Sequence, residues 1–142
     1  MDFWVFTAST PVFEQLLSLR YQVMRQPLGL EFSPQELSMD TMNAHIGAFI
    51  NNELIACCVM HHLDSKTIKM RQLAVYPQHQ KKTYGKQLVC YAEKWAKYAG
   101  YQKIILHARD YAIPFYEKLG YLKEGEPFTE IQILHIKMFK NI

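Results

Sequence analysis

The chain has few of the features that mark secreted, metal-binding or membrane-spanning proteins. Its 142 residues include only three cysteines, whose spacing suits neither a disulfide framework nor a zinc site. It lacks an apolar run long enough to cross a bilayer and an N-terminal leader of the basic, apolar and small-residue type. We therefore expect a cytoplasmic protein with reduced thiols, no bound metal and no membrane segment. Cys57 and Cys58 are adjacent on a predicted strand and should be buried on opposite faces.

Charge of either sign is also scarce. Charged residues make up 20% of the chain and the formal net charge is +3, which is too small to indicate nucleic-acid binding but suits an acidic small ligand. The hydrophobic content of 49% argues against disorder. Because no repeat, linker or low-complexity tract interrupts the chain, we expect residues 1–142 to form one domain with a sizeable core.

The most informative segment is a short basic loop between an apolar strand and a long amphipathic helix. The strand ends with Leu73, Ala74 and Val75, Pro77 stops it, and the helix begins near Tyr84. The first N–H groups of a helix have no intrahelical acceptor and carry the positive end of the dipole, so they attract anions. We expect a phosphate or pyrophosphate to be held here by the loop and first-turn residues Gln80, Lys81, Lys82, Thr83, Tyr84, Gly85 and Lys86.

A second segment, Ala112 to Tyr121, follows a predicted strand over Lys103–His107. Together with the basic loop it resembles the GNAT acyltransferase superfamily. The loop is similar to the family's Val-x-Pro-x-x-Gln/Arg-Gly-x-Gly/Ala-x-Gly pyrophosphate motif, and the second segment to its Ala-x-x-Phe-Tyr-x-x-x-Gly-Phe/Tyr motif. The resemblance covers most of the chain and extends to a subgroup of small GNAT proteins with a mostly undefined acceptor, through residues 19–20, 25–29, 125–128 and 135–138. The matching motif positions are Val75, Pro77, Gln80, Gly85, Ala112, Phe115, Tyr116, Gly120 and Tyr121.

The resemblance implies that an acyl group, most simply acetyl, passes from acetyl-coenzyme A to a primary amine of a small molecule, peptide or protein. Backbone N–H groups of Leu73–Val75 would hold the pantetheine arm, and Tyr116 would protonate the leaving thiolate; the alternative for Tyr116 is packing in the core. Lys81 and Thr83 stand where the family usually has small residues, which keeps a catalytically inactive coenzyme A-binding module as a second hypothesis. A homodimer is common among such proteins, although no residue pattern here requires one.

Hydrophobic periodicity and turn residues predict an α/β (α+β) fold, with a mixed, mostly antiparallel sheet and helices on both faces. The resemblance further implies that this sheet is splayed between strands 4 and 5. The stretch from Gln26 to Asn43 is expected to be a loop or short helix that covers the acceptor. The predicted strands are Phe3–Thr7, His45–Ile50, Leu54–His62, Thr67–Val75, Lys103–His107, Tyr121–Lys123 and Ile131–Met138, and the predicted helices are Pro11–Met24, Tyr84–Ala99 and Ala112–Leu119.

The fourth predicted strand changes its apolar parity along its length. Ile68 and Met70 share one parity, whereas Leu73 and Val75 share the other. Because side chains alternate across a strand, a β-bulge after Arg71 would explain the change, as would a strand buried on both faces. The resemblance implies a bulge here, which frees backbone N–H groups toward the thioester.

No single motif marks the base that would take the proton of the amine. Among six histidines, His135 and His107 are the first candidates because both are expected on strands beside the splayed centre; a water relay is the alternative. No group has the spacing of a metal site or of a nucleophile elbow. Further candidates are Arg20, Arg71 and Arg109, which suit an acceptor carboxylate or an internal ion pair, and Glu31, Glu36, Asp40 and Glu130, which suit an ammonium group.

Overall fold

A computed structural model describes residues 1–142 as seven strands and four helices. Short 3-10 turns at Gln26–Leu28, Met39–Met42, Pro77–His79 and Asp110–Ala112 connect some of them. The strands are β1 (Asp2–Phe6), β2 (Ala44–Ile50), β3 (Glu53–His62), β4 (Thr67–Val75), β5 (Lys103–Arg109), β6 (Leu122–Glu130) and β7 (Ile133–Asn141). The helices are α1 (Phe13–Met24), α2 (Pro34–Ser38), α3 (Tyr84–Tyr98) and α4 (Ile113–Lys118).

All seven strands belong to one sheet in the order β1-β2-β3-β4-β5-β7-β6. Every neighbouring pair is antiparallel except β4 and β5, which are parallel. These two strands pair only at their first residues, Thr67–Lys69 with Lys103–Ile105, and then separate. The predicted mixed sheet, splayed between strands 4 and 5, is therefore confirmed.

The helices cover both faces of the sheet, as predicted. On one face α1 packs Leu16 and Leu19 onto a cluster that includes Cys57 and Ala74. On the other face α3 packs a stripe of Leu88, Val89, Ala92 and Ala96 onto the larger cluster that includes Cys58. The adjacent cysteines are thus buried on opposite faces, and burial raises the pKa of Cys57 to about 12 and that of Cys58 further. None of the four helices is long and apolar enough to cross a membrane.

The bulge predicted in the fourth strand is present. Gln72 has a φ of 53°, and the pairing of β3 with β4 shifts so that Gln72 and Leu73 both stand opposite Cys58. A bulge of this kind leaves one residue out of the ladder and turns the strand. It changes which residues face α3, from Met70 before the bulge to Leu73 and Val75 after it.

The prediction of a short strand at Tyr121–Lys123 was wrong in its length. The strand β6 continues to Glu130, because Pro127 lies at a sheet edge, where a missing N–H costs no ladder bond, and at a register shift between Glu124 and Phe128. Ile131, predicted to begin the last strand, instead forms the hairpin turn with Gln132. His135 keeps its predicted place on β7.

The segment between α1 and β2 is held to the core by two ion pairs. Arg20 donates to both carboxylate oxygens of Asp40 at 3.0 and 3.1 Å, and the two side chains are 0% and 6% exposed. Arg25 bonds Glu36 at 2.7 Å. Arg20 therefore forms an internal ion pair with Asp40 and is not available to bind the acceptor. His45 donates from Nε2 to the Asp40 carbonyl, and burial lowers the pKa of this imidazole.

Candidate active site

A cleft with a volume of about 1080 Å³ opens where β4 and β5 separate. Its walls come from the ends of α1 and β4, the loop before α3, the strands β5 and β7, and α4. Eleven of the thirteen predicted site residues line it, which are Leu73, Val75, Gln80, Lys81, Thr83, Tyr84, Gly85, Lys86, His107, Tyr116 and His135.

Two predicted residues do not line this cleft. The side chain of Ala74 packs into the cluster under α1, so only its backbone is available to a ligand on the opposite side. Lys82 is exposed at the top of the loop. The structure thus separates Lys82 from Lys81 and Lys86, whose side chains reach the cleft.

The loop before α3 has the geometry of an anion cradle. The first backbone bond of the helix runs from Gln87 N to Thr83 O, so the N–H groups of Tyr84, Gly85 and Lys86 have no helical acceptor. The Gln80 side chain donates to the Val75 carbonyl at 2.9 Å and fixes the loop to the end of β4. Such free N–H groups, together with the dipole and nearby lysines, favour a bound phosphate.

Two residues of this loop have a left-handed backbone. Lys81 has a φ of 61° and Thr83 has a φ of 67°, the conformation that glycine adopts without steric cost. These are the two positions at which the sequence departs from the small residues of the related motif. A side chain at each of these positions adds local backbone strain.

We expect Lys81→Gly to raise the free energy of unfolding by about 0.5 kcal/mol, because relief of the left-handed strain exceeds the entropy that glycine adds to the unfolded chain. The matched control is Lys82→Gly, which removes the same charge from a residue without a positive φ and should lower stability. Urea unfolding of both variants measures the difference. A loss of stability in both would show that Lys81 carries no strain.

Tyr116 is held in the wall of the cleft by α4 and two aromatic neighbours. Its ring contacts Phe115 and Tyr121 edge-to-face, with centroids 5.0 and 5.7 Å away, and only 8% of the residue is exposed. The Tyr121 hydroxyl donates to Glu93, whereas the Tyr116 hydroxyl bonds no protein group. Burial raises the pKa of Tyr116, so its hydroxyl is protonated at neutral pH and can donate a hydrogen bond to a group in the cleft.

The two candidate bases both contact the ring of Phe128. Phe128 is 4.9 Å from the His107 ring and 5.9 Å from the His135 ring, centroid to centroid. His135 donates from Nδ1 to the Ile133 carbonyl at 2.7 Å, so its neutral form carries the lone pair on Nε2. Burial and then the charge of Lys69 lower the pKa of His107, which keeps this imidazole neutral at neutral pH.

The sequence interpretation missed Lys69. Its Nζ lies 3.3 Å from Nδ1 of His107, and the same Nδ1 lies 3.1 Å from Glu130. Burial and the charge of Arg71 lower the pKa of Lys69. The alternation of residues along the strand could have indicated Lys69, since Lys69 and Arg71 alternate with the core residues Ile68 and Met70 on a strand beside the splay.

No group of three or more metal-binding side chains occurs in the structure.

Similarity to known proteins agrees with this architecture. Residues 11–121 match the model of the acetyltransferase (GNAT) family. The uncharacterized N-acetyltransferase YitI of Bacillus subtilis is 24% identical over 91% of both chains. Among solved structures, Escherichia coli ElaA superposes with a TM-score of 0.83 at 20% identity over 99% of both chains. A GNAT acetyltransferase from Elizabethkingia anophelis with acetyl-CoA bound gives 0.78 at 21% identity, covering 99% of this chain and 97% of that one.

The family model covers most of the chain, and the splayed sheet, the bulge and the loop before α3 lie where the resemblance in the sequence implied them. The chain therefore belongs to the GNAT acetyltransferase family.

Proposed function

We propose that this protein is an acyl-coenzyme A-dependent N-acyltransferase that moves an acetyl group from acetyl-coenzyme A to a primary amine. The observation that carries the proposal is one continuous cleft, which joins the anion cradle before α3 to the protonated phenol of Tyr116. The acetyl-CoA bound to the Elizabethkingia anophelis protein supports the choice of cosubstrate.

In the proposed reaction the cradle of Gln80–Lys86 holds the pyrophosphate, and backbone N–H groups of Leu73–Val75 bind the pantetheine arm and polarise the thioester carbonyl. The amine nitrogen attacks this carbonyl carbon and forms the new C–N bond. The C–S bond then breaks, the sulfur takes a proton from Tyr116, and the nitrogen loses one to a base. The products are an amide and free coenzyme A.

His135 is the proposed base, because its Nδ1 bond leaves the Nε2 lone pair free in the wall of the cleft. His107 is the second candidate. Its Nδ1 lies within hydrogen-bond distance of both Lys69 Nζ and Glu130, and when it accepts from Lys69 the ring proton is on Nε2, so the imidazole has no free lone pair. A water relay remains the alternative to both. The acceptor is an amine of a small molecule, peptide or protein, and the bulk of the cleft outside the cradle is available to it.

The direct test is release of free thiol from acetyl-coenzyme A in the presence of a pooled amine panel. Acetyl transfer to an amine, verified by a mass shift of the product, supports the enzyme. Tight binding of coenzyme A with no transfer to any amine would instead support the second hypothesis, a coenzyme A-binding regulatory module, which the strained residues Lys81 and Thr83 keep open.

We expect Gly85→Val to weaken acetyl-coenzyme A binding by about tenfold or more, because a branched side chain on the first turn of α3 crowds the closely approaching phosphate. The matched control is Gly85→Ala. A Cβ at this position would lie 3.5 Å from Phe115 and 3.6 Å from Val75, ordinary contact distances, so the alanine should fit with little loss. Calorimetry measures both, and equal affinity of Gly85→Val and the parent would remove the loop from the site.

We expect His135→Asn to lower kcat and to remove the acidic limb of the pH–rate profile, because asparagine keeps a hydrogen-bond donor but cannot accept the proton of the amine. His107→Asn, which changes the other histidine that contacts Phe128, is the matched variant and should keep that limb. If His135→Asn keeps the parent profile and His107→Asn loses the acidic limb, the base is His107. If both keep it, a water relay serves.

A further inference from the structure

Positively charged side chains outnumber negatively charged ones in the walls of the cleft. Seven cationic side chains and two carboxylates line it. Lys81, Lys86 and Lys118 lie on the cradle and on α4, where they match the phosphates of the proposed cosubstrate. The other cations and both carboxylates lie toward α1, β4, β5 and β7, in the part of the cleft left for the acceptor.

In that acceptor part, three cations have no carboxylate partner. Arg25 is neutralised by Glu36, but Lys69, Arg71 and Arg109 form no ion pair within 4.0 Å. Arg109 donates only to the Tyr111 hydroxyl and the Met24 carbonyl. The remaining carboxylate, Glu130, lies 3.1 Å from Nδ1 of the neutral His107, and its charge partly offsets that of Lys69, which leaves the acceptor part with a net positive charge.

These cations share one face of the splayed strands. Lys69 on β4 pairs with Ile105 on β5, so these two side chains point to the same face of the sheet. Side chains two or four positions further along a strand point to that face as well, which places Arg71 and Arg109 there. All three cations are partly buried, and the side chain of Arg71 makes no hydrogen bond or ion pair within the protein. A half-buried guanidinium without an anion is costly, and its planar fork matches a carboxylate or phosphate.

We propose that the acceptor is an amine that also carries an anionic oxygen group, a carboxylate or a phosphate, bound by Arg71 and Arg109 with Lys69 beside them. This inference rests on the proposed acetyl transfer to an amine and narrows the class of acceptor. The anion neutralises the cations and places the amine between β4 and β5, next to the bulge. A polyamine is repelled by the same charges.

The test is calorimetric binding of matched amines to the whole protein, with and without saturating coenzyme A. The probes are the common α-amino acids against their α-carboxamides, O-phosphoethanolamine against ethanolamine, and spermidine as a polycation. We expect at least one anionic member to bind about 10- to 100-fold more tightly than its neutral partner, the range of a charge-assisted bond. Which pair shows the preference distinguishes carboxylate from phosphate.

The variants Arg71→Gln and Arg109→Gln should abolish this preference and leave coenzyme A binding unchanged. Lys97→Gln, which removes an exposed charge on α3 away from the cleft, is the matched control and should keep it. Equal binding of anionic and neutral members, tighter binding of spermidine, or a preference that survives both arginine variants would overturn the proposal. Because these outcomes need no turnover, they are separate from a failure of acetyl transfer, which the thiol-release assay reports.

Discussion

Tyr116→Phe is expected to lower kcat about 100-fold while the KM for acetyl-coenzyme A changes by less than about threefold. The phenol would give its proton to the sulfur as the C–S bond breaks, so its loss raises the transition state by roughly 2.7 kcal/mol and leaves the ground state unaffected. The phenylalanine keeps the edge-to-face contacts with Phe115 and Tyr121, so the wall of the cleft is retained.

The matched control is Tyr121→Phe, the adjacent buried tyrosine, whose hydroxyl donates to Glu93 and lies outside the cleft. It should lower stability somewhat and keep kcat, since Glu93 retains its bonds to Lys140. Steady-state kinetics of both variants separate chemistry from packing. An increase in KM with unchanged kcat for Tyr116→Phe would assign this residue to binding or packing alone.

Asp40→Ala is expected to destabilise the fold by about 3–5 kcal/mol, because it leaves the fully buried Arg20 without its carboxylate. That is a large part of the roughly 5–15 kcal/mol that holds a typical domain. Urea unfolding measures the loss. The double variant Arg20→Met/Asp40→Leu removes both charges together and should recover much of it, since a buried pair can be replaced by apolar groups of similar volume.

The exposed pair of Lys137 and Glu124 provides the control for this experiment. Its atoms are 3.4 Å apart and both side chains are more than a third exposed, so Glu124→Ala should cost less than about 1 kcal/mol. A loss for Asp40→Ala no larger than this would mean that water reaches Arg20 and replaces the carboxylate.

The periodicity of the sequence predicted those parts of the fold that depend on local pattern. The parity change between Met70 and Leu73 left a bulge or a strand buried on both faces as explanations, and the family resemblance favoured the bulge that the structure shows. The amphipathic stripe of α3 predicted that helix within one residue at its end. The splay itself came from the family resemblance, since nothing in the composition of β4 and β5 shows where two parallel strands part.

Other features depend on contacts that sequence patterns do not encode. The strand β6 was predicted too short, because an edge strand continues through the glycine and proline that follow Lys123. Arg20 and Asp40 are separated by twenty positions, and only the path of the chain brings them together. Lys69 likewise approaches His107 only because β4 and β5 are neighbours in the sheet.

The burial of the two adjacent cysteines affects whether the protein forms mixed disulfides with coenzyme A. Each turnover of the proposed reaction releases coenzyme A as a free thiol. Once an external oxidant has coupled two such thiols, the resulting disulfide exchanges only with a protein thiolate. Cys57 and Cys58 are fully buried, and their raised pKa values keep them as thiols at neutral pH. A mixed disulfide with coenzyme A is therefore expected only at Cys90, which is partly exposed on α3.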